Sequence, residues 1–296
     1  MFLNPLRYPG SKADLVHTID QIIRDAGIQG VSLWEPYAGS AAISMGLLEL
    51  NTVRNVVLNE RDPLLFAFWH CVFDCPERLA DRFLDLEVSL RTWHRLAPLL
   101  EIDSPKGNDL VQLGVAALFF NRANFSGIIH GGPIGGHLQK SQYKIDCRTN
   151  KDDIIVRIAQ LSSFAGLVDV RFGDGLKMLG GGDARPDRLY YIDPPYFVQG
   201  ERLYRYSFRH GDHKRLAAAL KRMNSRWILS YDKHYVIESL YEAFSIRTHG
   251  FFYSANSRKR DQELVIANFP LPDSPLPQVR VQSKGGRSSG AKPTAR

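Results

Sequence analysis

A chain of 296 residues, 44% hydrophobic and 23% charged, can bury a full core, which excludes a disordered or fibrous protein. Its formal net charge of +7 is uneven: residues 200–260 contribute +8 and 276–296 contribute +5, leaving −6 for the remainder. Clustered positive charge draws in a polyanion through phosphate contacts and counterion release, although a solvated basic face has the same composition.

Strand-then-helix units open the chain. Short apolar runs ending in turn residues predict strands at Ser32 to Glu35 and Asn55 to Asn59, followed by helices over Ala41 to Leu50 and from about Pro63. Two βα units in succession imply a parallel, doubly wound sheet. The alternation then stops for about 90 residues. There Leu79, Phe83, Leu86, Leu90 and Trp93 recur at helical spacing behind Pro76, predicting one amphipathic helix, and a second spans about Leu110 to Phe120. The glycine-rich NRANFSGIIHGGPIGGH follows and continues into alternating SQYKI, the pattern of an irregular hairpin or mobile loop. Strands return at Val168 to Phe172, Leu189 to Ile192, Trp227 to Ser230 and Leu264 to Phe269, with helices near Asp212 to Met223 and Tyr235 to Phe244. From Pro270 the composition turns to Pro, Ser, Gly and basic residues, a tail that cannot order itself by burial. Trp34 and Trp93 are read as core.

Cys71, Cys75 and Cys147 form no CxxC pair, and the nine histidines show no metal-ligand spacing, so free thiols in a reducing compartment and no metal are expected. No apolar run approaches the roughly 18 residues of a membrane span, and MFLNPLRYPG lacks an apolar signal region, so a cytoplasmic protein is expected.

The sharpest chemical signal is Asp193-Pro194-Pro195-Tyr196 after the apolar LYYI. In a doubly wound sheet this puts an acid and an aromatic ring in the crevice at a strand's carboxyl end. A carboxylate and a proline-fixed carbonyl there can accept both hydrogens of a planar amino group, freeing a delocalised lone pair. A proline-rich turn ending a strand is the plainer reading. Glu35-Pro36-Tyr37-Ala38-Gly39-Ser40-Ala41 follows another apolar strand and opens a helix, leaving backbone N–H donors free for a nucleoside; a tight turn without a ligand looks the same. Glu60, at the end of the next strand, lies where an acid can accept both ribose hydroxyls, whereas Asp62 reads as a helix N-cap.

Six motifs now stand in order: RYPGSK at Arg7 to Lys12, EPYAGSAA at Glu35 to Ala42, LNERDPLL at Leu58 to Leu65, FFNRANFSG at Phe119 to Gly127, IDPPY at Ile192 to Tyr196 and SRKRDQELVIANF at Ser257 to Phe269. Together they resemble the Dam-type, D12-class DNA adenine methylases, across roughly residues 4 to 269. The resemblance implies an α/β fold: a Rossmann-like S-adenosylmethionine-dependent methyltransferase sheet with an inserted, mostly helical target-recognition subdomain. The expected divisions are a catalytic domain of residues 1–68 and 161–272, an insertion over 69–160 with a hairpin arm near 122–146, and a disordered basic tail over 273–296.

By matching positions, Tyr8 and Lys12 close over the cofactor S-adenosyl-L-methionine, Glu60 binds its ribose, and Asp193 polarises the target amino group and touches the cofactor. Pro36, Tyr37, Ala38, Gly39, Ser40, Arg61 and Asp174 complete the expected cofactor site. The catalytic set is Asp193, Pro194, Pro195 and Tyr196, the tyrosine offering a ring for an extruded base. Phe125, Ser126, Ile128 and His130 fall where the family's hairpin enters DNA, with Arg122 and Asn124 beside them. Asn256, Arg258, Lys259 and Arg260 read as phosphate contacts or as a charged loop. Three positions depart from the family pattern: Tyr8 stands where Trp is usual, Ala41 where the cofactor loop has its last glycine, and Glu60 where Asp is commoner.

The resemblance implies N6 methylation of a flipped adenine in double-stranded DNA by a monomer without membrane contact, and leaves room for a cognate restriction endonuclease as partner. Cytosine-N4 or RNA adenine methylation, or a catalytically silent DNA-binding homologue, stay open alternatives. A nicotinamide dehydrogenase shares the glycine-rich turn but leaves DPPY without a role.

Overall fold

The computed structural model describes residues 4–7, 12–179, 184–198, 200, 205–250 and 262–272. Tyr8, Asn256, Arg258, Lys259, Arg260 and the basic tail over 273–296 lie outside the described residues.

Seven strands form one sheet: β1 (Ser32–Glu35), β2 (Asn55–Glu60), β3 (Val168–Phe172), β4 (Arg188–Ile192), β5 (Arg226–Asp232), β6 (Ser245–Gly250) and β7 (Gln262–Ala267). Their order is β3-β2-β1-β4-β5-β7-β6. The pairs among β1 to β5 are parallel, and β7 runs antiparallel to both β5 and β6. The expected doubly wound α/β sheet is therefore present, and its order reverses between β1 and β4, which opens a crevice at their carboxyl ends.

Both sheet faces are covered, so the inner strands are continuous apolar runs whose alternate side chains enter opposite cores. Leu33, Val56, Leu58, Leu189, Tyr191, Ile228 and Val265 face one core. Tyr190, Ile192, Trp227, Leu229, Tyr231, Leu264 and Ile266 face the other. The second core is closed by helices α9 (His210–Lys221) and α10 (Tyr235–Leu240), through Leu216, Ala217, Leu220 and Ile237.

The first core is larger and takes in α1 (Val16–Asp25), α2 (Ala42–Glu49), α3 (Pro63–Asp74), α4 (Pro76–Leu84), α5 (Leu90–Leu96), α6 (Leu110–Ala123) and α7 (Lys151–Ser162). Helix α1 buries Val16, Ile19, Ile22 and Ile23 on one face. It stops at Gly27, whose φ of 63° is left-handed, with Ile28 N bonded back to the Ile23 carbonyl at 3.1 Å. Helix α6 is apolar all round because it lies inside the molecule. It approaches α3 through Gly114, where a Cβ would stand 3.1 Å from the Ala67 carbonyl oxygen.

Three features add to the expectations. The single amphipathic helix behind Pro76 is two: Lys151 Nζ donates to the carbonyls of Leu84 and Leu86 at 2.6 and 2.7 Å, closing α4, and the Ser89 hydroxyl accepts from Thr92 N at 3.3 Å, opening α5. The expected boundaries at 68/69 and 160/161 fall inside α3 and α7, and α4 to α7 share one core with the sheet. The arm near 122–146 has no paired strands; one bridge, Asn124 to Pro133, is followed by turns. Those turns are held by Gln139, which donates to the carbonyls of Ile134 and Gly136 and accepts from Ile145 N.

Trp34 and Trp93 are half-buried rather than core. Trp34 lies between the guanidinium groups of Arg171 and Arg188, 4.8 and 4.1 Å from their carbons. Among the described residues no helix is long and apolar enough to cross a membrane.

Candidate active site

Four loops meet at the carboxyl ends of β1, β2, β4 and β5. The loop after β1 turns through Gly39 and Ala41, both left-handed at φ 48° and 49°. Ala41 thus occupies a conformation that favours glycine, with its methyl fully buried. The loop is locked from several sides: Trp69 Nε1 donates to the Gly39 carbonyl at 2.9 Å, and Asn59 Nδ2 donates to the carbonyls of Pro36 and Gly173, each at 3.0 Å. Ser44 Oγ donates to Glu35, whose burial pushes its carboxyl well above the usual range.

Glu60 ends β2 and turns back over this loop. Its Oε2 accepts from Gly39 N at 3.0 Å, and its Oε1 accepts from Arg61 N at 2.7 Å and Asp62 N at 2.9 Å. Burial pushes the carboxyl up to about 7 against these amide bonds. Asp62 caps α3, as expected, by accepting from Leu64 N and Leu65 N. Its second oxygen lies 2.7 Å from His130 Nε2.

Asp193 follows β4 directly. Its Oδ1 lies 3.1 Å from Lys12 Nζ and accepts from Ser230 Oγ at 3.0 Å. Lys12 is buried and also meets Glu263 Oε1 at 2.8 Å and Tyr196 OH at 2.9 Å, with its ammonium 4.4 Å from the Tyr196 ring centre. Burial works against that charge, but Asp193 and Glu263 outweigh it and hold the amine well above its usual range. Burial raises Asp193, and Lys12 pulls it back only in part. The loop continues under Asp232, at the end of β5, whose two oxygens accept from Phe197 N at 2.9 Å and Val198 N at 3.2 Å.

These loops enclose a cleft of about 1060 Å³, counting open solvent at its mouth. Of the expected cofactor residues, Lys12, Pro36 to Ser40, Glu60, Arg61, Asp174 and Asp193 all line it. Asp174 also caps the short helix α8 (Gly175–Met178) through Leu176 N. Pro195 lines the cleft; Tyr196 stands beside it against Lys12. Arg205, Tyr206 and Phe208 form its far wall, with Tyr206 between the guanidinium groups of Arg61 and Arg205.

The residues expected on DNA divide. Phe125 is 71% exposed and Ser126 is exposed at φ 56°. Ile128 and His130 instead line the cleft. Arg122 and Asn124 point inward, which corrects their assignment. Arg122 donates to the Pro5 carbonyl and its burial lowers it to about 10, while Asn124, fully buried, accepts from Trp93 Nε1 at 2.7 Å and donates to the carbonyls of Ile128 and Ile129. Asn124→Ala should therefore lower the unfolding free energy by about 2–4 kcal/mol, because three polar groups lose their partner together. A denaturant melt checks this; an unchanged midpoint with weakened DNA binding would return Asn124 to the interface.

Sequence reasoning gave no role to Glu263, Asp232 or Ser230. Ser230 and Asp232 lie in β5 and Glu263 in β7, and only the sheet order brings them to Asp193 and the loop that follows.

A family model described as D12 class N6 adenine-specific DNA methyltransferase matches residues 8–254. The chain belongs to that family. It is a methyltransferase, and S-adenosylmethionine is its methyl donor.

The cleft fits that cofactor. The Tyr37 hydroxyl is buried without a hydrogen-bond partner among the described residues, and Gly175 lets the loop after β3 pack directly on the loop after β1 in the cleft lining, since a Cβ there would stand 2.6 Å from the Pro36 carbonyl oxygen and the Tyr37 ring. Glu60 lies where a ribose acid belongs in a doubly wound fold. Among the described residues no group of three His, Cys, Asp or Glu could hold a metal ion.

A comparison with curated protein sequences gave no match. Among solved structures, the chain is similar to the "putative RNA methyltransferase PH1948" of Pyrococcus horikoshii, with 13% identity, TM-score 0.40, and coverage of 88% of this chain and 84% of that one. It is also similar to the "putative methyltransferase yhhF" of Escherichia coli, with 11% identity, TM-score 0.38 and coverage of 89% and 90%. Similarity this distant carries nothing about substrate or site to this D12-class chain.

Proposed function

We propose that this protein transfers a methyl group to the N6 amino group of an adenine flipped out of double-stranded DNA. The observation that carries the reading is the orientation of Asp193: its Oδ1 is taken by Lys12 and Ser230, while the residue lines the cleft that fits the methyl donor.

The sulfonium methyl of S-adenosylmethionine supplies an electrophilic carbon. Pro36 to Ser40, Glu60, Arg61 and Asp174 would hold the nucleoside, Glu60 accepting from its ribose hydroxyls. Asp193 Oδ2 and the Pro194 carbonyl accept the two amino hydrogens, which shifts the nitrogen toward tetrahedral geometry and frees its lone pair. Tyr196 flanks the base, held by its hydroxyl on Lys12. Asp232 fixes the backbone after Tyr196, so the acceptors are set before substrate arrives. Target recognition belongs to the segment between α3 and α7, with exposed Phe125 on the duplex side.

Incubation with labelled cofactor, then nucleoside analysis of duplex DNA and of RNA, tests the reading. N6-methyladenine in duplex DNA is expected. N4-methylcytosine, or label in RNA alone, would overturn the target; no transfer to any nucleic acid would overturn the activity.

A further inference from the structure

Glu263 is the second residue of β7, opposite Asp232 in the antiparallel pairing with β5, and is buried at 7% exposure. Its Oε1 lies 2.8 Å from Lys12 Nζ and accepts from Tyr196 OH at 3.4 Å, while its Oε2 is buried with no hydrogen-bond partner among the described residues. Lys12 therefore stands between two carboxylates, one of which lines the cleft while the other lies behind it. A lysine that only neutralised Asp193 would need no second acid. One ammonium against two carboxylates gives the cluster a net charge of −1, in surroundings where water screens little.

As the amino nitrogen that meets Asp193 bonds to the methyl carbon, the carbon–sulfur bond breaks and its electron pair stays on the departing thioether, so the positive charge passes from sulfur to nitrogen, which then releases one proton to water. We propose that Glu263 is a positioning residue for this step: it seats Lys12 from behind and gives the cluster the net negative charge that stabilises the nitrogen as it turns positive. It acts through Lys12 and touches neither substrate nor cofactor. The inference rests on the adenine reading for the identity of the nitrogen.

Charge at Glu263 depends on pH within the working range. Burial pushes its carboxyl up to about 7, with Lys12 pulling it down and Asp193 pushing it further up. The cluster is thus neutral below that point and singly negative above it. The groups facing Glu263 from neighbouring elements are Lys12 before α1, Asp193 and Tyr196 after β4, Tyr191 on β4, Asp232 on β5 and His249 on β6. Tyr191 and Tyr196 are raised by burial and stay neutral, and His249 is lowered by burial, so neither tyrosine nor His249 takes up charge as Glu263 ionises.

The test compares wild type with Glu263→Gln and Glu263→Asp in single-turnover methyl transfer to duplex DNA at saturating cofactor, from pH 6 to 8.5. Glu263→Gln keeps an acceptor for Lys12 and removes the charge. The wild-type rate should rise with pH through a midpoint near 7; Glu263→Gln should be slower by about 10- to 100-fold at pH 8 and lack that rise. Glu263→Asp should recover part of the rate and keep the rise. Cofactor affinity, measured by equilibrium titration, should change by less than about threefold for Glu263→Gln, since the residue lies outside the cleft. A Glu263→Gln enzyme with the wild-type rate and pH profile would overturn the proposal.

A readout that needs neither DNA nor cofactor separates this from the adenine reading. In protein carrying ¹³C at the glutamate carboxyls, the resonance lost in Glu263→Asp should titrate near pH 7. A midpoint below about 5 would overturn the role of Glu263 whatever the target proves to be. A wild-type enzyme that methylates no DNA, with the midpoint still near 7, would overturn the target instead.

Discussion

Asp193→Ala should lower methyl transfer by roughly 10²- to 10³-fold or more, the usual loss when one preorganised acceptor or donor is removed from a reacting centre. The fold should survive the change. Lys12 keeps Glu263 as its counterion and Tyr196 as an acceptor, so no buried charge is stranded. Ser230 Oγ keeps its contact with Tyr191 OH at 2.8 Å. Duplex binding, measured by fluorescence anisotropy, should stay within a few-fold because the side chain supports the reacting atom rather than the phosphate contacts. Wild-type turnover with lost DNA binding would contradict the assigned role.

Gly127→Ala should be the most damaging single-methyl change outside the cleft's floor. Its φ is 77°, and an added Cβ would stand 1.9 Å from the Arg7 carbonyl oxygen and 2.9 Å from its carbon. Neither backbone can retreat, because the Asn121 side chain clamps both. Its amide donates to the Arg7 carbonyl at 2.7 Å and to the Gly127 carbonyl at 2.9 Å, and its oxygen accepts from Arg7 N at 2.8 Å. The left-handed strain alone is worth about 1–2 kcal/mol, and the backbone clash should carry the total above about 3 kcal/mol. Cofactor affinity should fall as well, since Gly127 to His130 form one wall of the cleft. A variant with wild-type denaturant midpoint and cofactor affinity would mean that Arg7 and Gly127 do not meet in solution.

How much of this was legible beforehand depended on burial. Runs such as NVVLN and LYYI declared themselves because strands covered on both faces must be continuously apolar. Edge strand β6, SIRTHG, carries no such run and was missed. The break between α4 and α5 was hidden because Leu86, Leu90 and Trp93 keep helical spacing across it; the cap that ends α4 comes from Lys151, a residue local periodicity does not weigh.

The same division holds in the site. DPPY and the Glu60 position could be placed because each follows a strand that the pattern reveals. Asn124 and Arg122 were misread because polar residues beside a glycine-rich arm resemble an interface, whereas the end of α6 is sunk in the core. Glu263 sits in SRKRDQELVIANF, yet its partner Lys12 lies at the opposite end of the chain. Only the placement of β7 between β5 and β6 brings the two together.

The wall shared by Ile128 and His130 has a thermodynamic consequence on the reading proposed above. If the duplex rests on the outside of the 125–130 turn while the nucleoside rests on its inside, the two ligands contact opposite surfaces of one short peptide. Any factor by which the bound nucleoside changes duplex affinity must reappear as the same factor in nucleoside affinity once the duplex is in place. Reciprocity of this kind requires no motion of the sheet, and the Asp62–His130 contact ties the turn to the start of α3.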